Sequence, residues 1–444
     1  MATRRDELLA SFWGSWRRFL PHLEAFAQRR PVRAAAAVLF LAVHLTAVIY
    51  SGASRFDAPF NAAPGHPPKF VNPDTEGAPR TWNRLVVSRW DAGHYIQLGL
   101  RGYQYCPPRG AGAPANAVNC DLAFYPTYGL VGRVVSLGGV IPIDFALFGI
   151  SLVSSFVFLF LWTGPALTKR IGVAETWLSM LLLNAFTTGF SLVSVQTEPL
   201  TLALTFGAFV ALQRRWWIFA GALAGAASSM RITGVATGAA CALGIIVQTW
   251  IERPTSRREW ITRGAAVALC GWGEAAIMTY HFARFGDALA YIHVHSKMFH
   301  HHPSLTSLLS PRPEWLVHAM EQPLHEGVWF VAGVLWFLLG HREALRPFPA
   351  PERAFWYTLY WTTVGIAAAG QVEIWFQGMN RYLLLALPLF LSMASLLRRR
   401  PLALAFWLIV SVWHYWQVDI CTYTGGPGDH VLQVCHTPHW MGRI

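Results

Sequence analysis

The sequence predicts an all-α polytopic membrane protein of about 11 transmembrane helices with a long, helix-containing first outer loop. Three observations predict it. Hydrophobic residues make up 54% of the 444-residue chain and charged residues only 13%, where soluble domains carry roughly 25%. Many apolar runs approach the ~20 residues a helix needs to cross a bilayer. The basic residues fall in short clusters between those runs, as the positive-inside rule places them.

In chain order, a basic, amphipathic N-terminus (1–33) comes first, with a surface helix over Leu8 to Phe26. It has no small-residue cleavage site, so the first apolar run reads as an uncleaved helix. The spans read as 34–50, 143–166, 174–190, 198–213, 216–230, 233–250, 264–283, 326–340, 354–370, 381–397 and 401–418. Segment 124–140 is apolar but reads as a helix lying on or dipping into the membrane. Counting it as a span breaks the charge alternation at Lys169-Arg170. With the N-terminus inside, inner connections carry 14 Lys and Arg residues, from Lys169 to Arg400. Short outer connections carry Arg231 and Arg381. This puts loops 51–125 and 284–325 and the tail 419–444 outside, around a membrane domain of 34–418. Helical character inside the first outer loop begins near Trp82.

The net charge of +12 does not point to nucleic acid, because the arginines are not gathered on a soluble face with interleaved aromatics. Cys106 and Cys120 share the first outer loop, and Cys421 and Cys435 share the tail. Two local disulfides in an oxidising compartment fit that placement, and free or metal-binding thiols are the alternative. Cys241 and Cys270 lie in spans and read as buried small hydrophobes. No P-loop, GxGxxG or HExxH is present.

Four constellations carry chemistry. In Arg89-Trp90-Asp91-Ala92-Gly93-His94-Tyr95, helical spacing puts Asp91, His94 and Tyr95 on one face. A carboxylate, an imidazole and a phenol there can take a proton and orient a sugar; pairing of Asp91 with Arg89, or helix capping, is the plain alternative. Gln196-Thr197-Glu198-Pro199 opens a span, where an ionisable side chain is costly unless paired or functional. Arg231 and Arg381 stand at outer mouths against the charge rule, either as interface anchors or as bidentate anion ligands. His293, His295 and His300 are the candidate ligands for a divalent metal, Zn or Mn at the imidazoles, with Mg or Mn as the possible cofactor. The alternatives are headgroup contact or a solvated loop.

Arg89 to Tyr95, then Arg101-Gly102-Tyr103, then Ala123-Phe124-Tyr125-Pro126-Thr127-Tyr128, resembles the first luminal loop of the glycosylphosphatidylinositol mannosyltransferase II (PIG-V) family and its bacterial relatives. Thr197-Glu198-Pro199-Leu200, the run Ala220 to Gly234, and Arg381-Tyr382-Leu383 with Pro388-Leu389-Phe390 resemble later family segments in the same order. The resemblance covers about residues 80–400, through order and outer placement rather than through any one specific motif. Tyr125 departs from a commoner Phe, and the cysteines and the His-rich loop are not family features.

The resemblance implies a GT-C-like fold in the inner membrane, with its active site on the periplasmic face. It implies an inverting glycosyltransferase that moves a sugar, by family default mannose, from a polyprenyl-phosphate donor to a hydroxyl of a lipid, glycan or protein acceptor. Asp91, at the family's Trp-Asp position, would be the general base, with Glu198 assisting. Arg89, Trp90, His94, Tyr95, Tyr125 and Tyr382 would bind substrate, and Arg231 and Arg381 the departing phosphate. A flippase or exporter of lipid-linked glycans is the alternative. It draws on Glu274, His281 and His44 as polar residues inside spans.

Overall fold

A computed structural model describes residues 21–53, 91–103, 121–299, 326–371 and 379–424, with side chains at 50–53, 121, 295–299, 326–328, 370–371, 379–380 and 416–424 outside the description. The described elements are helical and no strand occurs among them. They are α1 (Arg30–Ala53), α2 (Ala92–Arg101), α3 (Thr127–Val135), α4 (Ile143–Trp162), α5 (Pro165–Ile171) and α6 (Val173–Asn184). Then come α7 (Glu198–Gln213), α8 (Trp217–Ser228), α9 (Val235–Glu252), α10 (Arg257–Leu269), α11 (Trp272–Phe285) and α12 (Ala290–Phe299). The last are α13 (Glu326–Leu345), α14 (Ala350–Gln371), α15 (Met379–Leu385), α16 (Pro388–Leu397) and α17 (Pro401–Thr424).

Three stretches are long and apolar enough to cross a membrane, Arg30–Ile49, Ile143–Ile171 and Ile232–Glu252. Shorter apolar helices pack with them or with one another: α7 and α8 lie against the spans, and α16 packs on α13 and α6. On α17, Leu402, Phe406, Ile409 and Trp413 form an exposed apolar stripe at helical spacing, and Val38, Leu39 and Val43 do the same on α1. Exposed apolar surface on that scale suits lipid contact.

Two expected spans are broken, and a third, 174–190, is α-helical only to Asn184, with a 3-10 turn at Gly189–Val193. Segment 264–283 divides into α10 and α11 around Cys270-Gly271, where the chain meets α8 backbone to backbone. A Cβ on Gly273 would collide with the Gly225 carbonyl, and one on Gly225 with the Leu269 carbonyl. Segment 381–397 divides before Pro388, whose ring and missing N–H end α15 and restart the chain as α16. Segment 124–140 forms α3 and a 3-10 turn at Leu137–Gly139. Its Tyr128, Gly129 and Gly132 are buried while Leu130, Val134, Leu137 and Val140 are exposed.

Charges collect at both ends of the bundle. At one end Arg170 binds Glu352 through Nε at 3.1 Å and Nη2 at 2.6 Å, Arg215 and Arg263 both meet Glu252 at 2.6 Å, and Arg398 pairs with Glu175 and Glu343. Helices α7 and α9 run from the opposite end to this one. Between the ends lies an aromatic core, in which Trp356 stands 4.3 Å from Phe209 and edge-on to Trp162.

Candidate active site

At the end opposite the basic cluster, four charged side chains meet. Arg381, in the first turn of α15, is the centre. Its Nε donates to Glu198 Oε1 at 2.8 Å, Nη1 to Asp91 Oδ2 at 2.9 Å and Nη2 to Gln196 Oε1 at 2.7 Å. The planar guanidinium spreads its donors over three nitrogens, so acceptors on three sides can each meet a different one, whereas a lysine's three donors share one nitrogen. The acceptors come from segments 290 and 183 to 185 residues away, so Arg381 joins the first outer loop to the mouth of α7.

Glu198 is the first residue of α7, followed by Pro199 at a position where a helix tolerates proline. Its side chain is fully buried. Arg231, in extended backbone between α8 and the 3-10 turn Ile232–Gly234, places Nη1 2.6 Å from the same Oε1, an ion contact without hydrogen-bond geometry. The Arg231 guanidinium covers the Tyr382 ring at 4.8 Å. Glu198 Oε2 and the hydroxyls of Thr197 and Thr233 are buried without hydrogen-bond partners.

Asp91 stands at the start of α2. Its backbone is already helical and its side chain makes no capping bond, so the carboxylate turns to Arg381 instead. Asp91 retains 28% exposure, against none for Glu198. Of the two carboxylates, Asp91 is therefore the one a ligand can reach.

Of the three residues expected on one face, Asp91 turns to Arg381 and both rings meet Phe124. The His94 ring stacks on Phe124 at 4.0 Å and 16°. Tyr95 is buried, edge-on to Phe124 and Tyr128. Burial raises its phenol pKa, the Asp91 carboxylate adds to the rise, and Arg231 opposes it. Tyr128 is anchored by hydrogen bonds to the Leu147 carbonyl at 2.9 Å and the Ser151 hydroxyl at 2.7 Å. α2 lies close on α3 because Gly99 and Gly129 face each other. A Cβ on Gly129 would sit 2.6 Å from the Tyr95 carbonyl.

Tyr125 belongs to a neighbouring group. Its hydroxyl donates to Glu274 Oε2 at 2.9 Å, and Tyr291 donates to Glu274 Oε1 at 2.7 Å. His293 pairs with Asp287 at 2.7 Å, which holds the Asp287 carboxyl below its usual range. Among the described residues no three His, Cys, Asp or Glu side chains gather as a metal site requires. Arg89, Trp90, Cys106, Cys120, Cys435, His300 and the side chains of His295 and Cys421 lie outside the described residues.

The structure thus joins Asp91, Glu198, Arg231, Arg381, Tyr382 and Tyr95 in one site and sets His94 on its aromatic wall. Gln196, Phe124 and Tyr128, quoted in the motifs but given no role there, also enter the site. Gln196 is neutral, so it raised no electrostatic alarm beside Glu198, and the two rings were read as part of an apolar segment.

Among the described residues two carboxylates and two guanidinium groups meet here, and their charges balance. It offers a fork that can bind an anion and an accessible carboxylate that can take a proton. No protein-family model matches the chain, and no curated protein matches it.

Proposed function

We propose that the chain is a membrane glycosyltransferase that moves a sugar, mannose in the first instance, from a polyprenyl-phosphate donor to an acceptor hydroxyl at the outer surface of a bacterial inner membrane. One observation carries this reading. Arg381 links the half-exposed Asp91 to the buried Glu198 at a single mouth of an apolar helical bundle. A donor of this kind leaves its lipid in the bilayer and presents an anion and a sugar at the surface, the two chemistries this mouth offers.

The acceptor oxygen attacks the anomeric carbon as the bond to the phosphate oxygen breaks. A single displacement inverts the centre and requires one carboxylate as base. Asp91 takes the acceptor proton. Arg381 meets the phosphate charge as it develops, and preorganised donors of this kind supply much of an enzyme's rate. The phosphate competes with Asp91 for Nη1, so donor binding frees the carboxylate it needs. Glu198 does not reach substrate. It holds both guanidinium groups in place, and Tyr95 and His94 form the wall.

The test is Asp91→Asn in the full chain, in membranes supplied with a radiolabelled polyprenyl-phosphate sugar. Transfer should fall on the order of 10²-fold or more, as loss of a general base does, while the variant still folds, with a midpoint above that of Glu198→Gln because Asp91 is the partly hydrated carboxylate. An Asn variant with wild-type turnover removes Asp91 from this role. Label that changes leaflet without being transferred supports the exporter instead.

A further inference from the structure

The basic end of the bundle, far from the charged mouth, carries a surface that the transfer step leaves unused. Several arginines there are neutralised by carboxylates, Arg170 by Glu352, Arg215 and Arg263 by Glu252, and Arg398 by Glu175 and Glu343. Arg253, Arg257 and Arg258, where α9 passes into α10, are exposed, and among the described residues no carboxylate lies within ion-pair distance of them.

The connection that carries them is held from several sides. The chain turns on Arg253 in left-handed backbone, φ 47°, where glycine is the ordinary residue. Trp260 Nε1 donates to the Pro254 carbonyl at 2.8 Å, and the Ser256 hydroxyl accepts the Arg258 N–H at 3.2 Å. Arg263 Nη2 reaches back to Glu252 at 2.6 Å. Arg257 and Arg258 stand in the first turn of α10, at the positive end of the helix dipole, where an anion is favoured. The carboxylate of that turn, Glu259, meets Arg263 at 3.7 Å.

Exposed apolar side chains adjoin these charges. Leu243, Ile246 and Trp250 follow one face of α9 at helical spacing, and Trp250 is 75% exposed. On α10, Trp260 and Ile261 are exposed. Arg257, Ile261, Gly264 and Ala268 recur on one face of α10, all of them exposed. The helix runs from the basic end into the bundle, where Ala266 and Leu269 meet Gly221 and Gly225. At 1.5 Å of rise per residue, Gly264 lies about 10 Å deeper than Arg257. A Cβ on Gly264 would meet no atom within 4 Å, so this face is open there.

We infer that this face of α9 and α10 docks an anionic glycerophospholipid, its phosphate on Arg253, Arg257 and Arg258 and an acyl chain along the open strip past Trp260 and Ile261. Depth and charge select that occupant. The stretch Ile232–Glu252 is long and apolar enough to cross a membrane and ends beside Arg253, so Trp250 and the guanidinium groups fall at the level of the lipid phosphates. Guanidinium binds phosphate bidentately, and arginine stems lie well along apolar surface. A free anion would answer the charge and leave the apolar strip bare. A zwitterionic lipid would cover the strip and bring its own cation to three uncompensated arginines. The inference uses no part of the glycosyl-transfer reading.

The experiment is native mass spectrometry of the full chain released from a non-ionic detergent, titrated with phosphatidylglycerol or with phosphatidylcholine of the same acyl chains. Wild type should bind phosphatidylglycerol the more tightly, and added salt should narrow the gap. One arginine near the surface changes anionic-lipid affinity about fivefold, so Arg257→Gln with Arg258→Gln should weaken phosphatidylglycerol about 25-fold. Arg342→Gln with Arg346→Gln, exposed at the same end, should leave it nearly unchanged. Should the first pair fail to fold, Gly264→Leu decides. Its side chain fills the open strip without meeting the protein, and should weaken binding severalfold. Equal affinity for the two lipids in wild type, unchanged binding in the folded Arg257 and Arg258 pair or in Gly264→Leu, or an equal loss in the Arg342 and Arg346 pair each overturns the site. Displacement of the lipid by millimolar inorganic phosphate overturns it too, because the surface is then one for a free anion.

Discussion

Glu198 should be harder to lose than Arg381, although Arg381 makes more hydrogen bonds. Glu198→Gln leaves Arg231 and Arg381 with Asp91 as their carboxylate, a net positive charge on guanidinium groups whose side chains are 11% and 16% exposed. Arginine cannot shed its proton to relieve this. Breaking a buried pair in this way costs about 3–5 kcal/mol. Arg381→Met leaves Glu198 beside Arg231, and Asp91 at 28% exposure free to hydrate. The loss is then nearer that of charge-assisted hydrogen bonds, about 1.5–3 kcal/mol.

An unfolding entropy near 2.1 cal/mol/K per residue gives about 0.9 kcal/mol/K for this chain, so the midpoints should fall by about 3–5 °C and about 2–3 °C. The double variant restores neutrality by leaving Asp91 with Arg231. It should therefore melt above Glu198→Gln alone. Thermal unfolding of the purified chain in detergent, read by intrinsic tryptophan fluorescence, ranks all three. Additive losses, or an Arg381→Met variant less stable than Glu198→Gln, refute the reasoning that net charge sets the cost.

Gly129→Ala puts a Cβ 2.6 Å from the Tyr95 carbonyl, a contact between two backbones, so α2 must move off α3. We expect a loss of about 1–3 kcal/mol in the same melts, and an unchanged midpoint counts against the crossing. The proposed orientation is checked by single cysteines at Arg399, 74% exposed, and at His293, 56% exposed, with an impermeant maleimide. Cells should label the second and inverted vesicles the first; labelling of both from one side rules the orientation out.

The helices were legible because apolar runs and basic connections are local properties, and a helix lies on every apolar run read as a span. The breaks were not equally legible. Pro388 stands in plain view within 381–397 and marks its own interruption. The break at Cys270-Gly271 depends on Gly225, whose closeness no local pattern announces. The start of α10 was read too late. Arg257 and Arg258 read as a basic connection, yet Ser256 accepts the Arg258 N–H at 3.2 Å and caps the helix there.

The charged site was legible for a physical reason. An ionisable side chain at the edge of an apolar span is too costly to leave unpaired. Glu198, Arg231 and Arg381 stood out one by one on that ground, and the fold satisfies each with the others. What could not be read was the pairing itself, since the contacts span 183 to 290 residues. Glu274 shows the limit of the same rule. It stood out as a charge in a span and suggested a polar path, yet its partners are two phenols, which carry no charge to betray them.

Electroneutrality then constrains what the mouth can bind on the proposed reading. A phosphate added to this balanced cluster finds no spare positive charge among the described residues, so on the proposed reading it displaces a carboxylate already there. Glu198 is buried and held by two guanidinium groups. Asp91 is half-exposed and held by a single hydrogen bond to Arg381. Asp91 is the group that yields, and the carboxylate released by the donor is the one the acceptor hydroxyl needs.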